Sequence, residues 1–578
     1  MKAKRAWLHT AARPPAALAQ FRRWLLLVGF VLAQAIAGGD VTGSIAGHSS
    51  KLYIGHSARL TAQIPADWHV DPIGTFDYVG SDGFLRSEPV TGQAIGEACS
   101  GFAESNTFDA RALVTAATWA GRSACRVSGH IKGVRAEALV VPHPYPFATL
   151  WGGDRYAFAA LVADPSHFDA ILATLDFSPD NVSPEAFVLS VIEIMQARAY
   201  WSTSVDWSIV RQEALASVDG LTTLDHAQGA LQNIVASLHA AGDNHSYVLL
   251  AGQPNRLVES SGFGLLVGGQ QVLAVFPGGP ADRAGVRVGD ILESVDNQPF
   301  PLTSAPIDPA PVLQLSAPSA LLTLRRPGLE DAVTVAIEPG QYSRYLPPSG
   351  RRLANDIGYI QVPHFLTPGR ETDFAVTGNG IFESVDQSPT CGWIVDLRLD
   401  GGGSYSPMIT AVGPILGDGQ FVGWRWRDGR QHWVTYEDGR ILDDGDEVSD
   451  YLGHETYDLQ RPNPPVAVLI GPVTTSSGEV TALAFVGRNQ TRFFGEPTGG
   501  YTTANLGYLL FDGSDLALAE AAMTDRNGVT YLDGIEPDEF VRNNWTEFGT
   551  ESDQVLNAAV EWLRAQPECA GAEMSRAA

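Results

Sequence analysis

The segment Gly471-Pro-Val-Thr-Thr-Ser-Ser-Gly-Glu479 has the residue types that could present a serine nucleophile at a corner between a strand and a helix. The short apolar run Pro465-Val-Ala-Val-Leu-Ile470 before it predicts a buried strand, and the apolar residues after it recur at helical spacing. Ser476 would then lie beside N–H groups of the first helical turn, which lack intrahelical partners and can stabilise an oxyanion. The pattern favours acyl transfer, with a peptidase as the leading hypothesis.

A simpler interpretation is that Thr475, Ser476 or Ser477 is an N-cap, because Ser and Thr commonly fill that position. Catalysis would also require a general base, and histidine is the usual one because its pKa lies near working pH. The candidate is His245, in Gly242-Asp-Asn-His-Ser-Tyr247. A lone histidine more often has a structural role, so the assignment depends on the rest of the chain.

A helical region is predicted to deliver His245. Ser183-Pro184 indicates a helix start, because serine caps helices and proline fits the first helical position. The region extends to about His239, and its last helix carries one apolar stripe formed by Ala227, Leu231, Ile234, Val235 and Leu238. We therefore expect that helix to pack on a core.

Residues 255–340 contain Gly262-Phe263-Gly264-Leu265 and later a Gly-Gly-Pro-Ala segment that leads into Val288-Gly-Asp-Ile-Leu292. This pattern closely resembles a PDZ domain. The resemblance implies a groove that adds an extended peptide as a strand, often holding its terminal carboxylate on N–H groups near Gly262, Phe263 and Gly264. The alternative is a generic β-rich domain with a Gly-Asp turn.

Beyond Arg351 the pattern alternates strands and helices, and it includes Asp396-Leu-Arg-Leu-Asp-Gly-Gly-Gly403 and Gly495-Glu-Pro-Thr-Gly499. Together with the motifs around His245 and Ser476 and the PDZ-like module, these segments resemble the tail-specific, or C-terminal processing, peptidases, including their tricorn-like branch. The motifs occur in the family's order over roughly residues 180–548.

The predicted fold class is an α/β multidomain chain with an α/β peptidase core, a helical cap subdomain, an inserted PDZ-like β domain and an N-terminal α+β domain. The predicted boundaries are a signal peptide at 1–37, the α+β accessory domain at 47–178, the helical subdomain at 180–250, the PDZ-like domain at 255–340, the peptidase core at 351–548, and a C-terminal helix and tail at 549–578.

The resemblance assigns the nucleophile to Ser476 and the base to His245. It implies oxyanion amides from Gly402 or Gly403 and from Ser477. Glu479 would bind a substrate group or favour the helix N-terminus by its charge. No metal or organic cofactor is implied.

The base is the main departure from the bacterial enzymes of this family, which use a lysine about 25 residues beyond the nucleophile. Tyr501 occupies that position here, and the last lysine of the chain is Lys132. A Ser–Lys dyad within residues 133–578 is therefore excluded, and His245 is the base that the tricorn-like branch implies.

The third catalytic member is less defined. The tricorn-like branch has an acid shortly before a segment that corresponds to Gly534-Ile-Glu-Pro-Asp538, and the matching position is Tyr531. The nearby Asp533 is the predicted partner of His245, with Asp525 as a second candidate. A Ser–His dyad without an acid is also consistent with the sequence.

The predicted function is an exported serine endopeptidase that acts through an acyl-enzyme, with PDZ-mediated capture of the C-terminal segments of protein or peptide substrates. Two rival functions stay open. One is a catalytically inactive peptide-binding protein that keeps the fold, and the other is an esterase-type acyl hydrolase, because Ser–His chemistry does not distinguish ester from amide.

The N-terminal sequence predicts export. Residues 1–23 carry six basic residues and no acid, and the apolar run Trp24–Leu32 leads to small residues ending at Ala37, which is typical of a secretory signal. An uncleaved signal anchor is the alternative. The expected location is periplasmic, cell-surface or extracellular.

Charge and cysteine content bear on partners and compartment. The formal net charge of −27 argues against nucleic acid and anionic membrane surfaces as partners, apart from the signal anchor. Four cysteines permit three pairings, and the sequence favours disulfides in an exported chain over buried free thiols, with Cys99–Cys125 as the preferred local bridge.

Overall fold

The computed structural model describes residues 44–45, 48–105, 107–148, 155–252, 259–309 and 318–570. The predicted signal peptide, residues 1–37, lies outside the described residues. The predicted α/β multidomain architecture is confirmed: antiparallel β modules and a small helical unit precede a central sheet that is largely parallel. No helix among the described residues is both long enough and apolar enough to cross a bilayer.

The N-terminal module is antiparallel, and its sheets of three and seven strands enclose two apolar cores. Cys99 and Cys125 form the predicted disulfide within this module. Its strands are Ser44–Ile45, His48–Gly55, Leu60–Pro65, His69–Val70, Tyr78–Val79, Phe84–Val90, Leu113–Trp119, Arg122–Ile131, Val134–Ala148 and Arg155–Ala163, and its helices are Ile95–Ala103 and Phe168–Leu172.

The helical unit consists of Pro184–Arg198, Trp207–Val218 and Gln228–Ala240, with 3₁₀ turns at Pro179–Asn181, Ser202–Ser204 and Leu224–Ala227. Ser183 is the N-cap, as predicted, because its hydroxyl accepts the Ala186 N–H at 3.2 Å. The predicted stripe of the last helix is buried in one cluster with the other two helices. The chain then enters the strand Tyr247–Leu249.

The PDZ-like module has a seven-stranded sheet, an additional two-stranded sheet and a short helix around its own apolar core. Its strands are Glu259–Gly262, Leu265–Gly269, Gln271–Val275, Ile291–Val295, Gln298–Pro299, Thr303–Ile307, Ala320–Arg325, Val333–Ile337 and Gly340–Ser343, and the helix is Pro280–Arg283.

The core contains a six-stranded sheet whose order is Ser349–Arg352, Ile357–Gln361, Gly392–Asp396, Val466–Ile470, Thr491–Gly495 and Glu539–Phe540; only the first strand is antiparallel to its neighbour. Apolar clusters cover both faces, which explains the uninterrupted apolar runs of the central strands. The packed helices are Glu371–Val385, Tyr405–Leu416, Ser477–Leu483 and Gln554–Arg564, and a 3₁₀ turn covers Ala354–Asp356.

An eight-stranded antiparallel sheet joins the helical unit to the core, because the strand that follows His245 pairs with Asp515–Asp525. The other strands of this sheet are Gly419–Trp426, Gln431–Glu437, Arg440–Asp443, Asp446–Asp450, Thr503–Leu509 and Thr530–Tyr531. A second disulfide, Cys391–Cys569, connects the start of a core strand to the segment after the last helix.

Candidate active site

Three loops meet because they follow neighbouring parallel strands. The glycine-rich loop follows Gly392–Asp396, the Ser476 turn follows Val466–Ile470, and the loop of residues 496–500 follows Thr491–Gly495. These strands pair in parallel, in that order. The carboxyl ends of parallel strands lie at one sheet edge, which is where α/β proteins build their sites.

Ser476 has a backbone conformation unusual for a residue with a side chain, with φ of 54° and ψ of −119°. It directly precedes the helix Ser477–Leu483, and its carbonyl accepts the N–H groups of Glu479 and Val480. Its own N–H donates to Glu479 Oε2 at 2.9 Å. Strained residues held by their surroundings cluster at functional sites, so the conformation supports more than a capping role for Ser476.

The predicted oxyanion residues adjoin this turn. A methyl group added at Gly402, where φ is 92°, would lie 2.9 Å from Ser476 Cβ and 3.2 Å from the Ser477 amide nitrogen. The Gly402 N–H donates to Asp400 Oδ1 at 3.1 Å, whereas the Gly403 N–H has no acceptor among the described residues. The Ser477 hydroxyl donates to the Gly403 carbonyl at 2.6 Å. The absence of a side chain at Gly402 thus leaves space in front of the Ser477 amide.

Asp400 contacts both the glycine-rich loop and the Ser476 turn. Its side chain is fully buried, its carbonyl accepts the Thr475 N–H, and a methyl group added at Gly478 would lie 3.0 Å from its carboxyl carbon. Its Oδ2 has no hydrogen-bond partner among the described residues. Burial raises the pKa of Asp400 well above its ordinary value, against the opposing Gly402 hydrogen bond. Burial therefore favours the uncharged form of this carboxyl group.

We expect Asp400→Asn to raise stability at neutral and alkaline pH while keeping the Gly402 contact, because an amide oxygen also accepts that N–H. The pKa of Asp400 is higher in the folded state than in the unfolded state, where it is about 4. Protonation of Asp400 therefore stabilises the fold fully below about pH 4, and this stabilisation is lost as pH rises through the pKa of the folded state. Melting temperatures of the wild-type chain and of Asp400→Asn, measured between about pH 4 and pH 9, should differ most at the alkaline end, where the variant should melt higher. A variant that melts lower throughout would contradict this interpretation.

His245 is buried and follows the helix Gln228–Ala240. The side chain of Asp243 stabilises the turn that carries His245. Asp243 Oδ1 accepts the N–H groups of His245 and Ser246 at 2.8 and 2.9 Å. The imidazole Nδ1 lies 3.0 Å from Thr503 Oγ1, and the ring packs edge-on against Tyr501 with centroids 5.4 Å apart. Tyr501 is the residue at which the family resemblance led us to look for a lysine, and its aromatic ring packs on the histidine.

Burial lowers the pKa of His245 to about 4, against smaller opposing effects of the Asp243 carboxylate and a backbone hydrogen bond at Thr503. The ring is therefore neutral at neutral pH. With the proton on Nδ1 facing Thr503, Nε2 carries the lone pair that a general base needs.

Glu479 links the serine turn to the histidine loop. Its Oε2 accepts the Ser476 N–H, and its Oε1 accepts the Thr498 hydroxyl at 2.5 Å and the Gly500 N–H at 2.8 Å. Asn244, next to His245, donates to the Gly500 carbonyl at 2.7 Å. Hydrogen bonds thus connect the Ser476 turn to Asn244, the residue that precedes His245.

The sequence suggested that Glu479 contacts substrate or supports the helix N-terminus. The side chain has no exposed surface, and both oxygens are engaged within the protein. Burial raises its pKa to about 7, against the opposing hydrogen bonds from Thr498 and from backbone amides that include that of Gly500. This environment fits a positioning residue.

The two candidate acids lie in different settings. Asp533 is exposed, and its carbonyl oxygen would be 3.4 Å from a methyl group added at Gly500, so its backbone borders the histidine loop. Asp525 is buried and accepts the N–H groups of Asn527 and Val529, which closes its own turn. The hydrogen-bond partner of His245 Nδ1 is Thr503, which the sequence did not indicate.

The predicted carboxylate-binding residues of the PDZ-like module form a loop between two strands. Gly262 pairs with Gly340 at the end of the two-stranded sheet. The N–H groups of Phe263 and Gly264 donate to the side chain of Asp308 at 3.2 and 2.9 Å. This loop is therefore occupied by a carboxylate of the same chain.

Comparison with known proteins agrees with these features. Residues 356–541 match the family model of peptidase family S41, and residues 271–326 match that of a PDZ domain. The nisin-resistance protein of Lactococcus lactis subsp. lactis is 30% identical over 227 residues, which is 39% of this chain and 65% of that protein. The chloroplastic carboxyl-terminal-processing peptidase 2 of Arabidopsis thaliana is 27% identical over 364 residues, 57% of this chain and 63% of that protein.

The matched regions thus span less than two thirds of either relative. Among solved structures, a lipoprotein from Streptococcus agalactiae has a TM-score of 0.43 at 19% identity, and the alignment covers 66% of this chain and 97% of the lipoprotein.

The comparisons find a PDZ match followed by an S41 match in one chain. Residues 356–541 match peptidase family S41, the family to which the sequence motifs pointed, and the PDZ-domain match at residues 271–326 precedes them. Its curated relatives include C-terminal processing peptidases.

Proposed function

We propose that this chain is an exported serine endopeptidase of Ser–His type. The observation that carries the proposal is Ser476, held at positive φ at the start of a buried helix and linked through Glu479 and Gly500 to the loop of His245. The leader-like residues 1–37 and the two disulfides support export to an oxidising compartment.

The proposed reaction begins when Ser476 Oγ attacks the scissile carbonyl carbon and its proton passes to His245 Nε2. The oxyanion is held by the Ser477 N–H and by an N–H of the glycine-rich loop. Gly403 is the better donor there, because the Gly402 N–H already donates to Asp400. His245 then protonates the leaving amine, and a water molecule activated by His245 hydrolyses the acyl-enzyme.

Thr503 takes the orienting role in this proposal that the sequence assigned to Asp533. Thr503→Val is expected to lower kcat/KM about fivefold, because an intramolecular hydrogen bond contributes about 1 kcal/mol. The neighbouring Thr502 offers a matched control: it is also buried, and its hydroxyl has no partner among the described residues. Initial rates on one peptide should fall in Thr503→Val and recover in Thr503→Ser. An equal loss in Thr502→Val would contradict the assignment.

The activity itself can be tested with casein and a p-nitrophenyl ester on the purified full chain. Cleavage of casein supports the endopeptidase. Turnover of the ester alone supports an acyl hydrolase, and peptide binding without turnover of either substrate supports a non-catalytic binding protein.

A further inference from the structure

The edge of the PDZ sheet to which a peptide would add is already paired. The strand Leu265–Gly269 follows the loop at Phe263 and has Gln271–Val275 on one side. On the other side lies Thr303–Ile307, antiparallel, with Ile307 opposite Val267 and Thr303 opposite Gly269. A segment of the chain itself thus occupies the position of an added strand.

The strand Thr303–Ile307 runs towards the carboxylate-binding loop and delivers a carboxylate to it. Asp308 follows directly, and its Oδ1 accepts the Phe263 N–H at 3.2 Å. Its Oδ2 accepts the Gly264 N–H at 2.9 Å and the Tyr342 hydroxyl at 2.9 Å. These amides are the ones that the PDZ resemblance assigns to the terminal carboxylate of a ligand. The strand and Asp308 together have the direction and the charge of a bound peptide C-terminus.

The pairing of this segment is short and irregular. Two positions are aligned with Leu265–Gly269, with a register shift between Val267 and Gly269, and the pairing of Leu265–Gly269 with Gln271–Val275 has four aligned positions and its own shift between Leu266 and Val267. Residues 303–307 are all at least partly exposed, and Pro306 has no N–H to donate. A partly exposed strand with only two aligned positions is one that a competing strand can replace.

We propose that Thr303–Asp308 is an internal ligand of the PDZ groove and that a peptide binds there through its terminal carboxylate by displacing it. A peptide must then displace the Asp308 side chain in order to bind. Only a peptide with a free C-terminal carboxylate can accept the hydrogen bonds from Phe263 N–H and Gly264 N–H that Asp308 gives up. The proposal deepens the proposed function by naming the ligand class of the groove, but binding itself does not require Ser476.

The PDZ domain also contacts the active-site loops, so an exchange of ligand has a path to the core. Leu273, on the strand Gln271–Val275, packs with Leu399 of the glycine-rich loop and with Trp545 and Phe548. Gln271 donates to the Phe548 carbonyl at 2.8 Å.

The test measures peptide binding by the full chain carrying Ser476→Ala, so that the probe is not cleaved. The probe is fluorescent Pro-Leu-Thr-Ser-Ala-Pro-Ile, which copies residues 301–307 and ends in a free carboxylate, beside the same peptide with a C-terminal amide. Adding Asp308→Ala should tighten binding of the carboxylate peptide about tenfold, because two charge-assisted contacts are released for it. Binding of the amidated peptide should change much less.

Asp331→Ala is the control, because Asp331 is an exposed carboxylate of the same domain, and it should leave both affinities unchanged. Asp308→Asn keeps an acceptor but removes the charge, so it should give a smaller gain in the same direction if the alanine variant folds poorly. The proposal is overturned if neither Asp308 variant binds the carboxylate peptide more tightly, or if the amidated peptide gains as much. A chain that cleaves nothing but shows the predicted gain would refute the endopeptidase and leave this inference standing.

Discussion

Replacing Ser476 by alanine is expected to abolish casein cleavage, with kcat falling by about 10⁶-fold, the scale at which loss of a serine nucleophile leaves only residual binding effects. The hydroxyl of the neighbouring Ser477 provides a control within the same turn. Ser477→Ala removes only the contact with the Gly403 carbonyl and keeps the backbone N–H, so we expect a loss of about tenfold or less. Rates on casein and on one fluorogenic peptide, with melting curves for each protein, provide the measurement.

The opposite pattern of effects in the two serine variants would contradict the assignment of Ser476 as the nucleophile. Persistent cleavage in Ser476→Ala, together with complete loss in Ser477→Ala, would move the nucleophile by one residue and would remove the argument from the positive φ of Ser476.

Replacing His245 by alanine is expected to lower kcat/KM by about 10⁴-fold or more, because no lysine after Lys132 can replace it as the base. The pH profile adds an independent readout. Since burial lowers the pKa of His245 to about 4, the imidazole keeps its lone pair through mildly acidic pH, and activity is lost only as pH falls through about 4. An unperturbed histidine would lose activity near about pH 6.5.

The measurement is kcat/KM of the wild-type chain from about pH 3.5 to pH 8, which reports the free enzyme. An acid limb near 4 agrees with the buried base. A limb near about 6.5 would contradict the lowered pKa of His245, and an unchanged profile in His245→Ala would show that another group accepts the proton.

Much of the fold was predictable because its signals are local. The run before Gly471, the Ser183 cap and the apolar stripe from Ala227 to Leu238 each depend on residues close in sequence, and each takes the predicted form. The Cys99–Cys125 bridge is also local, with a separation of 26 residues. The Cys391–Cys569 bridge spans 178 residues and could only be one of the open pairings.

The candidate site was predictable in its main residues but not in their support. Thr503 contacts His245 across 258 positions of sequence, and a threonine at the start of a strand carries no signal of that contact. Asp308 resembles an ordinary loop residue before a proline, and only the paired strands reveal that it reaches the loop at Phe263. The sequence motif identified Glu479, but its burial depends on the loop at Gly500, which the structure brings against its side chain.

The central claim is that Ser476 is a nucleophile activated by His245, and labelling with a fluorophosphonate followed by peptide mapping tests it most directly. The account predicts a single adduct on Ser476, with a labelling rate that falls steeply in His245→Ala and below about pH 4. An adduct on Ser477 or elsewhere, or labelling of Ser476 at an undiminished rate without His245, would contradict it.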